Sequence, residues 1–158
     1  MMKAIRLMTV VIVAVLALHS EGEAGGDCHL KPGEKDRCAV CGMFVKPYPN
    51  WVAAIKWSDD TVNYFDGPKD LFKYLFHMDK YNKKKTRDDV AAVYVTEFYS
   101  TKLMAAEALF FIVGSDVMGP MGKELIPVEG DENARTFLKD HHGDRILKYN
   151  EISAEEIP

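Results

Sequence analysis

Cysteine is scarce in this chain. Three cysteines stand among 158 residues, and no pairing satisfies an odd number, so a disulfide framework does not organise the fold. There is no C-x-x-C-H for covalent haem, no H-E-x-x-H, and no glycine-rich phosphate loop between a strand and a helix. No serine sits in a nucleophile elbow. Basic residues are not in excess: 20 Lys and Arg face 24 Asp and Glu, a net charge of −4, which gives no field for gripping nucleic acid. The one dense basic run, Lys83-Lys84-Lys85, reads as a solvated loop. Long apolar runs are missing too. Leu7 to Leu18 is twelve residues, short of the roughly twenty that span a bilayer. Carboxylates are plentiful, yet Asp66 and Glu129 read as helix starts. Nothing in this pattern demands catalysis, and an enzyme is not expected.

What is present begins with an export address. Lys3 and Arg6 precede the apolar run, and Gly22-Glu23-Ala24 places small residues where a signal peptidase reads, so cleavage is expected after Ala24. An uncleaved interfacial anchor is the alternative. Cys28 follows Gly25-Gly26-Asp27, which lacks the pattern of a lipidation signal and leaves a membrane tether open but disfavoured. Residues 1–24 are therefore read as a signal peptide, 25–37 as a Gly-, Pro- and charge-rich lead-in, and the mature protein as periplasmic. An exported chain with an odd cysteine points toward metal ligation.

The organising stretch is Cys38-Ala39-Val40-Cys41-Gly42-Met43. It places two thiols and a thioether within six residues, and soft sulfur ligands select soft metals, above all Cu(I). C-x-x-C also suits a redox disulfide, but that use leaves the methionine idle. A Cys3His zinc site from Cys28, His29, Cys38 and Cys41 is a weaker alternative on spacing. A second sulfur-bearing stretch, Gly114 to Gly122, carries Met118 and Met121 among glycines. Either the methionines plug a sheet edge or they ligate, with Met121 the better ligand. His141 lies on an apolar helical stripe and reads first as a partly buried helix-end histidine, with copper ligation as the alternative for it and for His142. His77 reads as solvent-facing.

Periodicity gives the architecture. Trp51–Trp57 and Thr61–Phe65 read as strands around a turn at Ser58-Asp59-Asp60. Asp66 reads as the cap of a helix with Leu71, Phe72, Leu75 and Phe76 on its apolar face. Asp79–Asp89 reads as a polar loop and Val90–Val95 as a strand. Glu107–Val113, Glu124–Val128, a helix over Asp131–His142 ended by a left-handed Gly143, and Arg145–Tyr149 repeat that order. Phe65-Asp66-Gly67 corresponds to Val128-Glu129-Gly130. The expected fold is α+β, two consecutive ββαβ units packed together, over 38–97 and 98–152, with a tail at 153–158.

The motifs together resemble the NosL family of nitrous oxide reductase accessory proteins. They are C-x-x-C-G-M at Cys38–Met43, Tyr64-Phe65-Asp66-Gly67, Tyr94-Val95-Thr96-Glu97-Phe98-Tyr99, Val113–Val117, and Gly119-Pro120-Met121-Gly122-Lys123-Glu124-Leu125-Ile126-Pro127. Phe137, Gly143 and Ile146-Leu147 complete the match. The resemblance implies a periplasmic, often lipid-anchored Cu(I) chaperone that supplies the reductase's copper centres. Its partner would be a copper-accepting apo-enzyme or its maturation machinery at the inner membrane. It also implies a fold related to the organomercury lyase MerB. By position, Cys41 and Met43 are the implied copper ligands, joined by Met121, with Cys38 as an extra thiolate or capture site. The rival functions are a C-x-x-C thiol–disulfide oxidoreductase and a zinc- or mercury-binding relative of the lyase.

Overall fold

The computed structural model describes residues 30–158. The expected signal segment, Cys28 and His29 lie outside the described residues. Strand β1 (Ala53–Trp57) follows a 3-10 turn at Pro49–Trp51, because Pro47 and Pro49 deny the backbone donors a strand needs. The strand expected from Trp51 therefore begins two residues later. β2 (Val62–Phe65) returns antiparallel to β1, helix α1 (Pro68–Phe76) follows, and β3 (Val90–Thr96) pairs with the other edge of β1. The polar stretch between α1 and β3 is partly helical: α2 (Met78–Tyr81) and a 3-10 turn at Arg87–Asp89 interrupt it. Lys85 within it is not simply solvated, since its ammonium binds Asp59 at 2.8 Å and lies 4.7 Å over the Trp57 ring.

The short β4 (Leu103–Ala105) extends this sheet, giving the order β2-β1-β3-β4. β1 is interior, which explains why Ala53, Ala54, Ile55 and Trp57 are all buried and do not alternate with exposed residues.

The second half begins with β5 (Phe110–Val113), shortened at its front by a 3-10 turn at Ala106–Ala108 where sequence periodicity suggested strand from Glu107. A small hairpin of β6 (Met118–Gly119) and β7 (Gly122–Lys123) precedes β8 (Ile126–Val128). Helix α3 (Asp131–Asp140) and β9 (Arg145–Lys148) complete the half, in a sheet of order β8-β5-β9. Each half thus has its first strand central and antiparallel to both others, with a helix in the second crossover. This is the expected repeated ββαβ order. The two helix starts correspond as well, with Gly67 and Gly130 as the N-cap residues.

At the end of α3 the left-handed residue is His142 (φ 52°), not Gly143. The Gly143 N–H bonds the Leu138 carbonyl at 2.8 Å, closing a Schellman motif. Glycine is needed there for another reason: a Cβ at 143 would lie 2.5 Å from Ile112 Cγ2.

β5 joins the halves. Its side chains alternate, so Phe111 and Val113 enter the main core with Trp57, Phe65, Leu71 and Phe72, while Ile112 enters a smaller core with Ile126, Val128, Ala134 and Phe137. Phe72 of α1 and Phe111 meet edge to face, ring centroids 5.3 Å apart. Phe111→Ala should therefore cost about 3–5 kcal/mol, as large-to-small changes at fully buried aromatics do. Denaturant midpoints would measure it, and a loss under about 1 kcal/mol would mean that the halves do not depend on this shared core.

Candidate metal centre

The Cys38–Met43 stretch is a closed loop. Arg37 and Phe44 form an isolated antiparallel bridge at its base, the Cys38 N–H bonds the Met43 carbonyl at 2.8 Å, and the Gly42 N–H bonds the Cys38 carbonyl at 3.0 Å. Gly42 takes φ +78°, the left-handed turn that lets Met43 follow Cys41 so tightly. The Arg37 guanidinium bonds the Gly42 carbonyl at 2.8 Å and stacks 3.7 Å over the Phe44 ring. The Ala39 N–H reaches the Tyr64 carbonyl on β2 at 3.2 Å. That last bond sets the loop beside the end of β2, where the chain turns into α1.

The thiols consequently meet two carboxylates. Cys41 Sγ lies 3.4 Å from both oxygens of Asp66, and Cys38 Sγ lies 3.2 Å from Asp70 Oδ2. One ligating atom from each of the four lies within 4.8 Å of the others. Asp66 and Asp70 are 2% and 5% exposed, Cys38 is buried, and Cys41 is at the surface. Neither cysteine is bridged. Burial pushes the Cys38 thiol far above the usual thiol range. Partial burial of the Cys41 sulfur, with a hydrogen bond to Asp70 and the charge of Asp66 beside it, pushes that thiol up to about 11. Both sulfurs therefore carry protons at neutral pH. Cys41 and the half-buried Met43 open onto a concavity of about 420 Å³ shared with Arg37, Phe44, Pro47 and Tyr48.

The second methionine stretch approaches from the other half. Pro120 and Met121 form the tip of the β6–β7 hairpin, and Met118 and Met121 are exposed at 56% and 48%. They do not plug the sheet edge. The Lys69 ammonium of α1 bonds the Met121 and Lys123 carbonyls, each at 2.8 Å, and the buried Glu124 carboxylate accepts the Lys69 N–H. Lys69 is three residues from Asp66, so the hairpin backbone is fixed to the helix end that carries the carboxylates.

A family model for NosL matches residues 29–157. The chain belongs to the NosL family. Its fold is similar to that in the crystal structure of the copper chaperone NosL from Shewanella denitrificans. The TM-score is 0.69 and the identity 20%, with 82% of this chain and 98% of that chain covered. No match was found among curated proteins. Membership accords with the α+β expectation and the ββαβ order; a layout specifically like MerB is not established by it.

Within this NosL-family chain, Cys38 and Cys41 come together and Met43 shares the concavity of Cys41. Met121 stands on a separate hairpin and is not among the residues lining that concavity. His141 stacks on Phe137 at 4.3 Å and pairs its Nδ1 with Asp116 at 3.1 Å, apart from the thiols. Asp66 is not the helix cap expected of it. Gly67 occupies that position and Asp66 faces Cys41. Asp66, Asp70 and Glu124 were missed. The available signal was spacing: Asp66 and Asp70 are four apart at a helix start, hence on one face, and Asp70 immediately precedes Leu71 of the apolar stripe.

Glu124 generates a pH prediction. Its burial, with Asp70 nearby, pushes it up to about 8 against the pull of the Lys69 and Leu125 N–H groups and the Lys69 charge, from an ordinary value of 4.5. Between those values the folded state holds a proton that the unfolded chain has lost. The stability this group contributes is full below the lower value and declines by up to about 1.4 kcal/mol per pH unit until the upper one is passed. Denaturant midpoints should fall from pH 5 to pH 8 in the wild type and flatten in Glu124→Gln. An unchanged slope in the variant would contradict a protonated Glu124.

Proposed function

We propose that this protein is a periplasmic Cu(I) metallochaperone, a binding protein and not an enzyme. It would supply copper for assembly of a copper enzyme, with the copper centres of nitrous oxide reductase as client. One observation carries this reading: a buried thiol and a surface thiol stand side by side, with a thioether two residues on, at an open concavity. Sulfur donors in low number suit Cu(I), whereas carboxylates do not. Family membership and the copper chaperone of like fold support it.

The geometry fits a cargo more than a resident metal. Cys41 lies at the surface where a partner's sulfur can reach it, while Cys38 lies behind it against Asp70. Copper entering from the concavity meets Cys41 and Met43 first. Each thiol that binds gives up its proton, and the hydrogen bonds to Asp66 and Asp70 supply an adjacent acceptor. Thiolates hold the ion and the weaker thioether eases its passage to a partner by ligand exchange. The partner is a copper-accepting apo-enzyme or its maturation machinery at the inner membrane. A thiol–disulfide oxidoreductase fits less well. Its nucleophilic cysteine needs a lowered pKa at a helix start, and here burial raises both thiols on a loop that leads into a Pro-rich turn.

A second reading has a specific observation in its favour. Two thiols with two carboxylates would also suit a divalent ion such as Zn(II) or Hg(II), as in a relative of the lyase. The readings separate by mutation. Cys41→Ser should abolish stoichiometric Cu(I) binding in anaerobic chelator competition, and Cys38→Ser should weaken it by about 10–100-fold. Asp66→Asn should leave Cu(I) bound. Loss of metal in Asp66→Asn as well as in Cys41→Ser would transfer the site to the divalent reading.

A further inference from the structure

The start of α1 poses a question of backbone satisfaction. First-turn N–H groups need acceptors from outside the helix, yet Gly67 at the N-cap has no side chain and Asp66 is turned to Cys41. The acceptor for the Lys69 N–H comes from 55 residues away, the carboxylate of Glu124. Glu124 is 4% exposed and also accepts the Leu125 N–H at 3.0 Å. Two glycines make room for it. A Cβ on Gly67 would stand 2.2 Å from Glu124 Oε2, and one on Gly119 would stand 3.1 Å from the same atom. In return the Lys69 ammonium bonds the Met121 and Lys123 carbonyls. The hairpin itself is two residues per strand, and a ladder so short does not hold its own position in water.

We propose that Glu124 and Lys69 form a two-way clasp that holds the Met121 hairpin beside the thiol and carboxylate cluster, which makes Glu124 a positioning residue for metal capture. The clasp ties the methionine-bearing hairpin of the second half to the first turn of α1, which follows Asp66 and carries Asp70. The inference rests on the reading of that site as a Cu(I) site to which Met121 contributes. It adds the residues that bring Met121 there, neither of which touches the metal. The same Asp66-Gly67-Pro68 turn thus serves both sides: its carboxylate faces the thiols, and the glycine beside it admits the capping Glu124.

The test is anaerobic Cu(I) competition on the mature protein with Met121→Leu, Lys69→Ala, Glu124→Ala and Glu124→Gln, and the double variant Lys69→Ala/Met121→Leu. Met121→Leu should weaken binding by about tenfold, and Lys69→Ala and Glu124→Ala by a comparable factor, as supporting groups around a metal site do. The double variant should be no weaker than Met121→Leu alone, because the clasp acts through Met121. Glu124→Gln keeps the acceptor for the Lys69 N–H and should bind like wild type. The Met121 methyl resonance should shift on copper loading in the wild type and not in Lys69→Ala. Should Glu124→Ala fail to fold, Lys69→Ala, with its ammonium at the surface, carries the test. Wild-type affinity in Lys69→Ala, or losses that multiply in the double variant, would overturn the clasp. If Met121→Leu is silent while Cys41→Ser loses copper, the site stands and the clasp falls. If Cys41→Ser keeps copper, the underlying reading fails with it.

Discussion

The structure depends on two carboxylates being buried against two thiols. A buried carboxylate is costly unless hydrogen-bonded, and here the nearest donors are the Cys38 and Cys41 sulfurs. The arrangement is mutual. The carboxylates need the thiol protons, and the thiols, lifted by burial, keep them. A soft cation entering such a cluster would compete with the thiol protons for sulfur. It also keeps the sulfurs out of the thiolate form in which they would be oxidised most readily.

The fold holds that cluster from several sides. β1 lies inside the first sheet, α1 packs over the main core through Leu71 and Phe72, and the loop of Cys38–Met43 is tied to β2 by one backbone bond. The second half repeats the same order of elements, but its contribution differs. Where the first half presents Asp66 to the thiols at the turn into its helix, the second presents Glu129, which is exposed, and its distinctive piece is the methionine hairpin. The two units thus share an order of elements, while the thiols and their carboxylates all come from the first.

Much of this was legible in the residues. The apolar runs at Ala53–Trp57, Val90–Thr96 and Phe110–Val113 are strong strand signals, and the Cys38–Met43 segment announces soft-metal chemistry by composition. Boundaries shifted where local chemistry intervened: Pro49 delayed β1, and His142, not Gly143, took the left-handed position because the helix ends at Asp140 with His141 as its cap. The acidic half of the site was not legible. Asp66 before Gly-Pro is as good a helix cap as any, and only the docking of a loop from 25 residues upstream turns it toward Cys41. Glu124 lies next to an apolar strand and looks like a surface residue until Gly67 and Gly119 are seen to leave space for it. Burial of a carboxylate is a tertiary fact, and local periodicity carries no trace of it.

Copper bound by this cluster should take the sulfurs and leave the carboxylates. X-ray absorption at the copper edge, on mature protein titrated anaerobically to one Cu(I), tests it most directly. The expected result is a low-coordinate ion with sulfur scatterers alone and no oxygen or nitrogen shell. An oxygen shell from Asp66 or Asp70, or failure of the protein to hold copper through the titration, would contradict it.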